Sequence, residues 1–316
     1  MSEQKYKYSE IFHSFQGEGA YTGRSTAWIR FFLCNLNCDG FGQKDPTDRT
    51  TYVLPYKDLD VSKFSRVEDL PVFEFGCDSS YTWAKKYRHL AHNNTADVIC
   101  NDIQRTLMHP SNPSGLFTHP KTKQQTHMAF TGGEPMLNQE AMQEILIKFN
   151  NRNNFPRQVT VETNGTQPVS AELVDVITRM YNGKLNLPFD SSSGKFSDVP
   201  NEWFWSVSPK LFSTSGESVK RAIKPGVVAE YVAASNHGQL KYVVNGTQQS
   251  WDEVDEHTEA FRKAGCFWDV YIMVAGATKE SQETTHIADV AMEAMKRGYH
   301  FSGRLHAHIF GNKIGT

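Results

Sequence analysis

Three cysteines give the first indication of chemistry. Cys34 and Cys38 are separated by three residues and follow an apolar stretch, where two thiolates could hold one metal centre from a loop. Cysteine is also often simply buried, so the pair alone leaves idle thiols as an equal alternative. Cys77 opens the segment CDSSYTW much later in the chain, and it suggests a third ligand only in combination with that pair.

A glycine-rich segment, Thr131-Gly132-Gly133-Glu134-Pro135, follows another apolar run. Paired glycines let a backbone approach a ligand closely, and a carboxylate beside them could pair with the ammonium of a methionyl group. An ordinary strand-to-helix turn would account for the same residues. The position of the segment behind the cysteines favours a cofactor site.

Further polar residues lie at the boundaries of apolar runs. Glu162 opens the segment ETNGT, Ser208 and Lys210 belong to SPK, and Gln239 precedes LKYVV. Catalytic groups gather where parallel strands end, which makes these residues candidates for a site. A turn or a strand edge would explain each of them singly, since Asn-Gly is a favoured turn pair.

Near the amino terminus, Gln16, Gly17 and Glu18 form part of SFQGEG, and Arg30 lies within the apolar run TAWIRFF. The amide and the carboxylate can hydrogen-bond the amide edge and exocyclic amine of a pterin. Arg30 can bind a carboxylate in a bidentate fork, or it could form a surface ion pair. An unpaired charge in apolar surroundings is unfavourable, so we expect a buried partner for Arg30.

The segment Arg304–Gly311 alternates polar and apolar residues, which fits an exposed edge strand. His306 and His308 within it could also bind zinc. Cys100 and Cys266 stand outside the cysteine pattern described above, and we interpret both as structural thiols.

Length and composition fit a soluble globular chain. The 316 residues allow one large domain or two small ones, and 39% hydrophobic and 22% charged residues are ordinary values. A net charge of -2 gives no global field that would attract nucleic acid or a membrane surface. We expect a cytoplasmic protein, because the first residues are polar and no run could span a bilayer. Five cysteines, an odd number, argue against a disulfide scaffold.

Strand-like and helix-like segments alternate along the chain. The expected strands are Thr26–Leu33, His127–Thr131, Gln158–Thr163, Trp203–Val207, Leu240–Val244 and Trp268–Val274. The expected helices are Gln139–Asn150, Ala171–Met180, Trp251–Ala264 and Thr284–Arg297. This pattern predicts an α/β fold with about six parallel strands, which would make a partial βα barrel. Asp39–Gly76, Ala91–Thr126 and Asn182–Glu202 break the rhythm and are expected to be surface insertions.

The combination of SFQGEG, CNLNC, CDSSYTW, TGGEP, ETNGT, SPK and LKYVV resembles the 7-carboxy-7-deazaguanine synthase family of radical S-adenosylmethionine enzymes. Phe41 stands where the third cysteine of the usual motif would fall, so the resemblance implies an insertion that places this ligand at Cys77. It also implies a single radical S-adenosylmethionine domain over residues 1–316, a cropped barrel and a homodimer. The implied cofactors are a [4Fe–4S] cluster, S-adenosylmethionine and Mg²⁺, with a flavodoxin or similar reductant by analogy.

The resemblance also implies roles for individual residues. Cys34, Cys38 and Cys77 would bind the cluster, and the Ser79 hydroxyl would be a suitable hard ligand for Mg²⁺. The implied substrate is 6-carboxy-5,6,7,8-tetrahydropterin, with His308 as an alternative to His306 in contacting it. The substrate-facing positions are Gln16, Gly17, Glu18, Arg30, Thr131, Glu162 and His306. The cofactor-facing positions are Gly132, Gly133, Glu134, Ser208, Lys210 and Gln239.

Three alternatives remain at this point. Another radical enzyme, such as a glycyl-radical activase, would share the cysteines and TGGEP but would not need SFQGEG and Arg30. A degenerate, non-catalytic homologue would result if Cys77 did not reach the cluster. A zinc protein could use His306, His308 and cysteines, although the chain lacks paired Cys-x-x-Cys segments. The sequence does not tell whether the product would serve queuosine in tRNA or modified DNA.

Overall fold

The computed structural model describes residues 3–181, 189–190, 195–196, 201–311 and 313–316. Its strands are β1 (Tyr6–Phe15), β2 (Ser25–Phe31), β3 (His92–Asn94), β4 (His127–Gly132), β5 (Gln158–Thr163), β6 (Phe189–Asp190), β7 (Lys195–Phe196), β8 (Glu202–Val207), β9 (Gly238–Val244), β10 (Asp269–Val274) and β11 (His300–Phe301). Nine of them form one sheet in the order β11-β10-β9-β8-β5-β4-β2-β1-β3, and β6 pairs with β7.

The large sheet is mostly parallel. Neighbouring strands from β2 to β11 pair in parallel, whereas β1 is antiparallel to both β2 and β3. All six expected strands are present, and the short β11 adds a seventh parallel one. Within the described residues β11 and β3 are free ends of the sheet, so the sheet is open and no closed barrel forms.

Helices connect the strands. They are α1 (Pro55–Asp58), α2 (Ala96–Thr106), α3 (Gln139–Asn151), α4 (Ala171–Tyr181), α5 (Phe212–Ser215), α6 (Val219–Ala222), α7 (Pro225–Ala234), α8 (Gln248–Lys263), α9 (Thr285–Lys296) and α10 (Leu305–Phe310). Short 3₁₀ turns span Gly19–Tyr21, Arg49–Thr51, Val61–Lys63, Val67–Asp69, Ser80–Thr82, Lys85–Tyr87, Pro135–Asn138 and Glu280–Gln282. The four expected helices correspond to α3, α4, α8 and α9.

Apolar patterning explains why these segments fold as they do. Parallel strands are covered by helices and therefore read as continuous apolar runs, as in β4, where Met128, Ala129 and Phe130 are fully buried. The apolar residues of α3 recur every three or four positions and form one buried face against the main core. They are Ala141, Met142, Ile145, Leu146 and Phe149. No helix described here is both long and apolar enough to cross a bilayer.

Residues 39–76, called the excursion below, leave the sheet and return to the same place. The N–H of Gly76 donates to the carbonyl of Phe41 at 2.7 Å, so the two ends of the excursion meet. Tyr56, Val67 and Phe73 are buried in a second hydrophobic cluster, which continues into the residues after Cys77. The excursion is therefore an insertion, as expected, and it has its own packed interior.

Residues 91–126 differ from the expected surface insertion. They contain β3 and α2, and Ile99, Cys100 and Ile103 of α2 are fully buried in the main core. Cys266 is likewise fully buried, as expected of a structural thiol. The third expected insertion, Asn182–Glu202, falls largely outside the described residues.

The carboxyl-terminal segment also differs from one expectation. Leu305–Phe310 forms α10 rather than an exposed edge strand. Gly311 ends the helix with a φ of 66°, a left-handed conformation that glycine adopts readily. The alternation of polar and apolar residues in this segment therefore lies on a short helix that leads the chain past the site.

Candidate active site

The carboxyl ends of the parallel strands surround a cleft with a cavity volume of about 300 Å³. It is lined by all but two of the predicted site residues, because parallel strands end at one edge of the sheet. These lining residues are Gln16, Gly17, Glu18, Arg30, Cys34, Cys38, Cys77, Ser79, Thr131, Gly132, Gly133, Glu162, Ser208, Lys210 and His306. Glu134 and Gln239 are not among the lining residues.

The three cysteines lie together, although 38 residues separate Cys38 from Cys77. Cys34, Cys38 and Cys77 pack into one apolar cluster with Leu36 and Phe41. The meeting of the excursion's two ends brings Cys77 next to Phe41, the position of the third cysteine in an uninterrupted motif. The interrupted sequence therefore converges into one group of thiols.

The loop that carries Cys34 and Cys38 is fixed by the protein itself. Oε1 of Glu217 accepts the backbone N–H groups of Asn37 at 2.8 Å and Cys38 at 3.0 Å. Leu33 and Cys38 have φ angles of 104° and 56°, in a region that residues other than glycine seldom adopt. Such strain persists where the surroundings over-determine the backbone, so the loop is preformed.

The donor set fits an iron–sulfur cluster. The N–H of Leu36 donates to Sγ of Cys34 at 3.4 Å, and Oγ of Ser79 lies 3.7 Å from Sγ of Cys77. Hydrogen bonds to sulfur, burial and cysteine ligation are the protein features that tune such clusters. Burial raises the pKa of Cys34 to about 12 and also raises the pKa of Cys38 and Cys77. A cation is therefore needed to turn these thiols into thiolates.

The geometry does not favour a single metal ion. No three His, Cys, Asp or Glu side chains within the described ranges converge closely enough to hold one ion. In a four-iron cluster each thiolate binds a different iron, so its ligands stand farther apart than those of zinc. His308 is exposed and lies outside the cavity lining. The zinc hypothesis thus has no converging ligand set in this part of the chain.

The two glycines of TGGEP allow the chain to pack against itself. A Cβ on Gly132, whose φ is 141°, would lie 2.3 Å from the carbonyl oxygen of Phe31. A Cβ on Gly133 would lie 2.2 Å from the carbonyl oxygen of Leu33 and 2.7 Å from Cβ of Cys34. The glycines therefore bring this turn against the cysteine loop, in addition to lining the cavity.

Glu134 and Gln239 face the protein interior. The Glu134 carboxylate is fully buried and accepts hydrogen bonds from the Met136 N–H at 2.9 Å, the Thr163 hydroxyl at 2.7 Å and the Asn164 N–H at 2.7 Å. Gln239 donates to Ser206 and accepts from the N–H of Ala20. Glu134 and Gln239 therefore connect neighbouring segments of the site through hydrogen bonds.

A chain of alternating charges crosses the cavity. Nζ of Lys241 lies 2.7 Å from Oε2 of Glu18 and 2.9 Å from Oε2 of Glu162. Arg304 joins Oε1 of Glu18 at 3.0 Å to Oδ2 of Asp78 at 2.8 Å. Burial acts to raise the pKa of Glu18, but Lys241 and Arg304 outweigh it and hold that pKa well below its ordinary value. Glu18 therefore presents an ionised carboxylate to this part of the cavity.

Arg30 has the buried partner that its sequence context predicted. Its Nε donates to Oε1 of Glu10 at 2.5 Å, and the Tyr81 hydroxyl donates to the same oxygen at 2.7 Å. The Glu10 side chain is 1% exposed, whereas that of Arg30 is 21% exposed and lines the cavity. Because Glu10 engages only Nε, the terminal nitrogens of Arg30 remain available to an anionic group in the cavity.

The structure distinguishes the positions of the two carboxyl-terminal histidines. His306 lines the cavity, and a Cβ on Gly17 would lie 1.8 Å from its Nδ1, so Gly17 makes room for the ring. His308 instead approaches Glu283 on the outer surface, at 3.8 Å. His306 is therefore the histidine placed to contact a bound molecule.

We expect a pH dependence from His306. Burial, reinforced by the Arg304 cation, lowers the pKa of His306 from 6.5 to about 4. Between these values the unfolded chain binds a proton that the folded chain does not, so stability should fall as pH drops from about 6.5 towards 4. The slope contributed by one such group is at most about 1.4 kcal/mol per pH unit. Urea unfolding at pH 7.5, 6 and 5 should show a shallower decline in His306→Gln, and equal slopes would contradict this assignment.

The end of the cavity near the cysteines carries further polar groups. Nζ of Lys210 donates to Oγ of Ser208 at 2.9 Å and lies 5.8 Å from the centre of the Phe41 ring. Ser79 lies beside Asp78, with 3.4 Å between its Oγ and Oδ1 of that carboxylate. Thr131 sits at the end of β4 and lines the same cavity. Lys210 and Ser79 border the thiols, as expected if a polar cofactor occupies this end, whereas Thr131 pairs with Arg30 in the register of β4 and β2.

Several functional residues were not assigned from the sequence. Lys241 and Arg304 belong to segments that were considered as parts of a site, but no function was predicted for either residue. Glu10 and Glu217 gave no signal, since Glu10 pairs with Arg30 on the neighbouring strand and Glu217 accepts N–H groups 180 and 179 positions away. A buried charge inside an apolar strand, as at Lys241 in LKYVV, is the one signal that could have found a member of this set.

Comparison with known proteins gives a consistent result. No protein-family model matches the chain. Over 317 aligned positions the chain is 24% identical to a protein named 7-carboxy-7-deazaguanine synthase from Rhodopirellula baltica, covering all of this chain and 90% of that protein. The crystal structure of QueE from Escherichia coli is similar in fold, with a TM-score of 0.50 and 16% identity over 94% of this chain and 93% of that one. The chain is thus similar from end to end to a 7-carboxy-7-deazaguanine synthase in sequence and to QueE in fold.

Proposed function

We propose that this chain is a radical S-adenosylmethionine enzyme of the 7-carboxy-7-deazaguanine synthase type. It would convert 6-carboxy-5,6,7,8-tetrahydropterin to 7-carboxy-7-deazaguanine with release of ammonia. The observation that carries the proposal is one cavity lined by three convergent thiols at one end and by Arg30, Glu18 and Glu162 at the other. Sequence similarity along the whole chain supports the same activity.

The substrate end suits a carboxylated pterin. Arg30 offers its terminal nitrogens to the carboxylate of the ligand, and Glu10 holds the guanidinium in place. Glu18 and Glu162 offer acceptors to the ring N–H and exocyclic amine of a pterin. Gln16 donates to Oε1 of Glu162 at 2.8 Å and thereby fixes the orientation of that carboxylate. His306 closes this end as a neutral imidazole.

The cofactor end suits a [4Fe–4S] cluster and S-adenosylmethionine. A bound cluster with S-adenosylmethionine would supply the radical chemistry that hydrogen abstraction from the substrate requires. Cys34, Cys38 and Cys77 would hold the cluster. Gly133, Ser208 and Lys210 border the space beside it, and Ser79 with Asp78 offers oxygen ligands of the type that Mg²⁺ prefers.

The wider setting of the enzyme is part of the proposal. A homodimer, a flavodoxin-like reductant and a cytoplasmic location are expected by analogy with similar enzymes. The product would enter 7-deazaguanine biosynthesis, either of the queuosine type or for modified DNA. Neither nucleic acid nor a membrane is expected as a direct partner.

Anaerobic reconstitution with iron and sulfide tests the proposal. The loaded chain, given S-adenosylmethionine, Mg²⁺, a reductant and the carboxylated tetrahydropterin, should release 7-carboxy-7-deazaguanine and ammonia in equal amounts, measured by mass spectrometry and an ammonia assay. A loaded chain that cleaves S-adenosylmethionine without forming this product would point to another radical enzyme, such as an activase. A chain that takes up no cluster would point to a non-catalytic homologue.

A further inference from the structure

Lys241 lies at the centre of the cavity's charge network. Its side chain is 6% exposed, and its ammonium bonds Glu18 on the loop after β1 and Glu162 at the end of β5. These two carboxylates come from distant parts of the chain and share one cation. Both side chains line the cavity, and each carboxylate oxygen, although it already accepts one hydrogen bond, can accept another.

We propose that Lys241 is a positioning residue that holds Glu18 and Glu162 side by side as ionised acceptors for the N–H donors of the ligand. The identity of that ligand rests on the proposed function, whereas the charge-setting role rests on the geometry alone. Two of the three N–H donors of Lys241 are used by the two carboxylates, and its role is exerted through them. The pocket would then select a ligand edge with at least two N–H donors.

Removal of the cation should change the protonation state of the pair. Two buried carboxylates close to one another cannot both remain ionised at low energetic cost, so the pair takes up one proton with a raised apparent pKa. The groups that face the pair from neighbouring elements are Arg304, His306, Asp78 and Gln16. Arg304 reaches only Glu18 and is shared with Asp78, so it does not replace Lys241.

Lys241→Met is the informative variant, since it removes the charge and keeps the length of the side chain. Binding of pterin-6-carboxylic acid to the reconstituted protein can be followed by ligand fluorescence from pH 5.5 to 7.5. Relative to wild type, the affinity of the variant should fall by up to about tenfold per pH unit below the raised pKa, because binding requires release of the shared proton. The stability of the variant should show the opposite trend with pH. Its melting temperature, compared with that of wild type, should fall as the pH rises.

Two further variants make the test specific. Lys241→Met/Glu162→Gln leaves one carboxylate, still paired with Arg304, and should lose the added pH dependence. Lys148→Met removes a lysine that pairs with Asp97 far from the cavity and should bind the pterin as wild type does at every pH. If Lys241→Met fails to fold but Lys241→Met/Glu162→Gln folds, the proposal is supported. The unfolding of the single variant is then caused by the carboxylate charge that Lys241 no longer neutralises.

Other outcomes would overturn either the role of Lys241 or the proposed substrate class. If the ratio of variant to wild-type affinity and the difference in melting temperature are both independent of pH, Lys241 does not set the charge of the pair. Unfolding of both the single and the double variant would likewise reduce Lys241 to a structural residue. If wild type does not bind pterin-6-carboxylic acid, the proposed substrate class fails, and the pH dependence of melting still decides the role of Lys241.

Discussion

Cys77→Ser should lower the iron content of the reconstituted protein from about four per chain to nearly none. Cys34 and Cys38 alone would leave only two thiolates for the proposed cluster, which would take three from this protein. A serine hydroxyl has a much higher pKa than a thiol and is a poor ligand for iron. Iron analysis and electron paramagnetic resonance after reduction measure the effect directly, and product formation should be lost with the cluster.

Cys100→Ser is the matched control, because it makes the same chemical change at a fully buried cysteine outside the cavity. It should bind iron as wild type does. A second control adds Phe41→Cys to the Cys77→Ser variant and so restores a thiol three positions after Cys38, with only Asp39 and Gly40 between the two cysteines. Partial recovery of iron would show that thiol placement decides loading. Full iron content in Cys77→Ser would exclude Cys77 as a ligand.

Arg30→Gln should lower kcat/KM by about 100-fold, since loss of one partner from a buried, hydrogen-bonded charge pair is worth about 2–5 kcal/mol. The variant loses the proposed contact with the substrate carboxylate. It also leaves Glu10 buried without a cation, which should destabilise the fold by about 3 kcal/mol. Steady-state kinetics and urea unfolding measure the two effects separately.

Two variants separate binding from stability. Glu10→Gln/Arg30→Gln removes the stranded charge and should regain most of the lost stability, while its kcat/KM stays low. Arg152→Gln breaks an ion pair with Asp97 away from the cavity and should leave kcat/KM unchanged. If the double variant recovers activity along with stability, Arg30 acts on the fold and not on the substrate.

The sequence predicted the parallel strands well, because strands covered on both faces are apolar along their length. It missed β1, where Ser9 and Glu10 are buried polar residues that interrupt the apolar pattern. Glu10 is buried because it pairs with Arg30 on the neighbouring strand, and a single strand does not show that pairing. The sequence pattern also failed to predict α2, because the short apolar face of this helix lies among polar residues.

Local motifs predicted which residues lie together in the cavity. CNLNC, CDSSYTW and TGGEP named the thiols and glycines that line the cavity, and the gap between the second and third cysteines was recognised as an insertion. The charge network was beyond such reasoning, because Lys241 and Glu18 lie 223 positions apart. Only the fold brings these two charges together.

The meeting of the excursion's ends at Phe41 and Gly76 would link the proposed iron binding to folding. In the unfolded chain the second and third ligands are joined by 38 residues where an uninterrupted motif has two. Each doubling of a loop adds about 0.6 kcal/mol of closure entropy, so this loop adds roughly 2–3 kcal/mol to the free energy of gathering the ligands. Hydrophobic packing within the excursion offsets this entropic cost when the chain folds, before any iron is bound. A cavity made at Tyr56 or Phe73 should therefore weaken iron retention without touching any ligand.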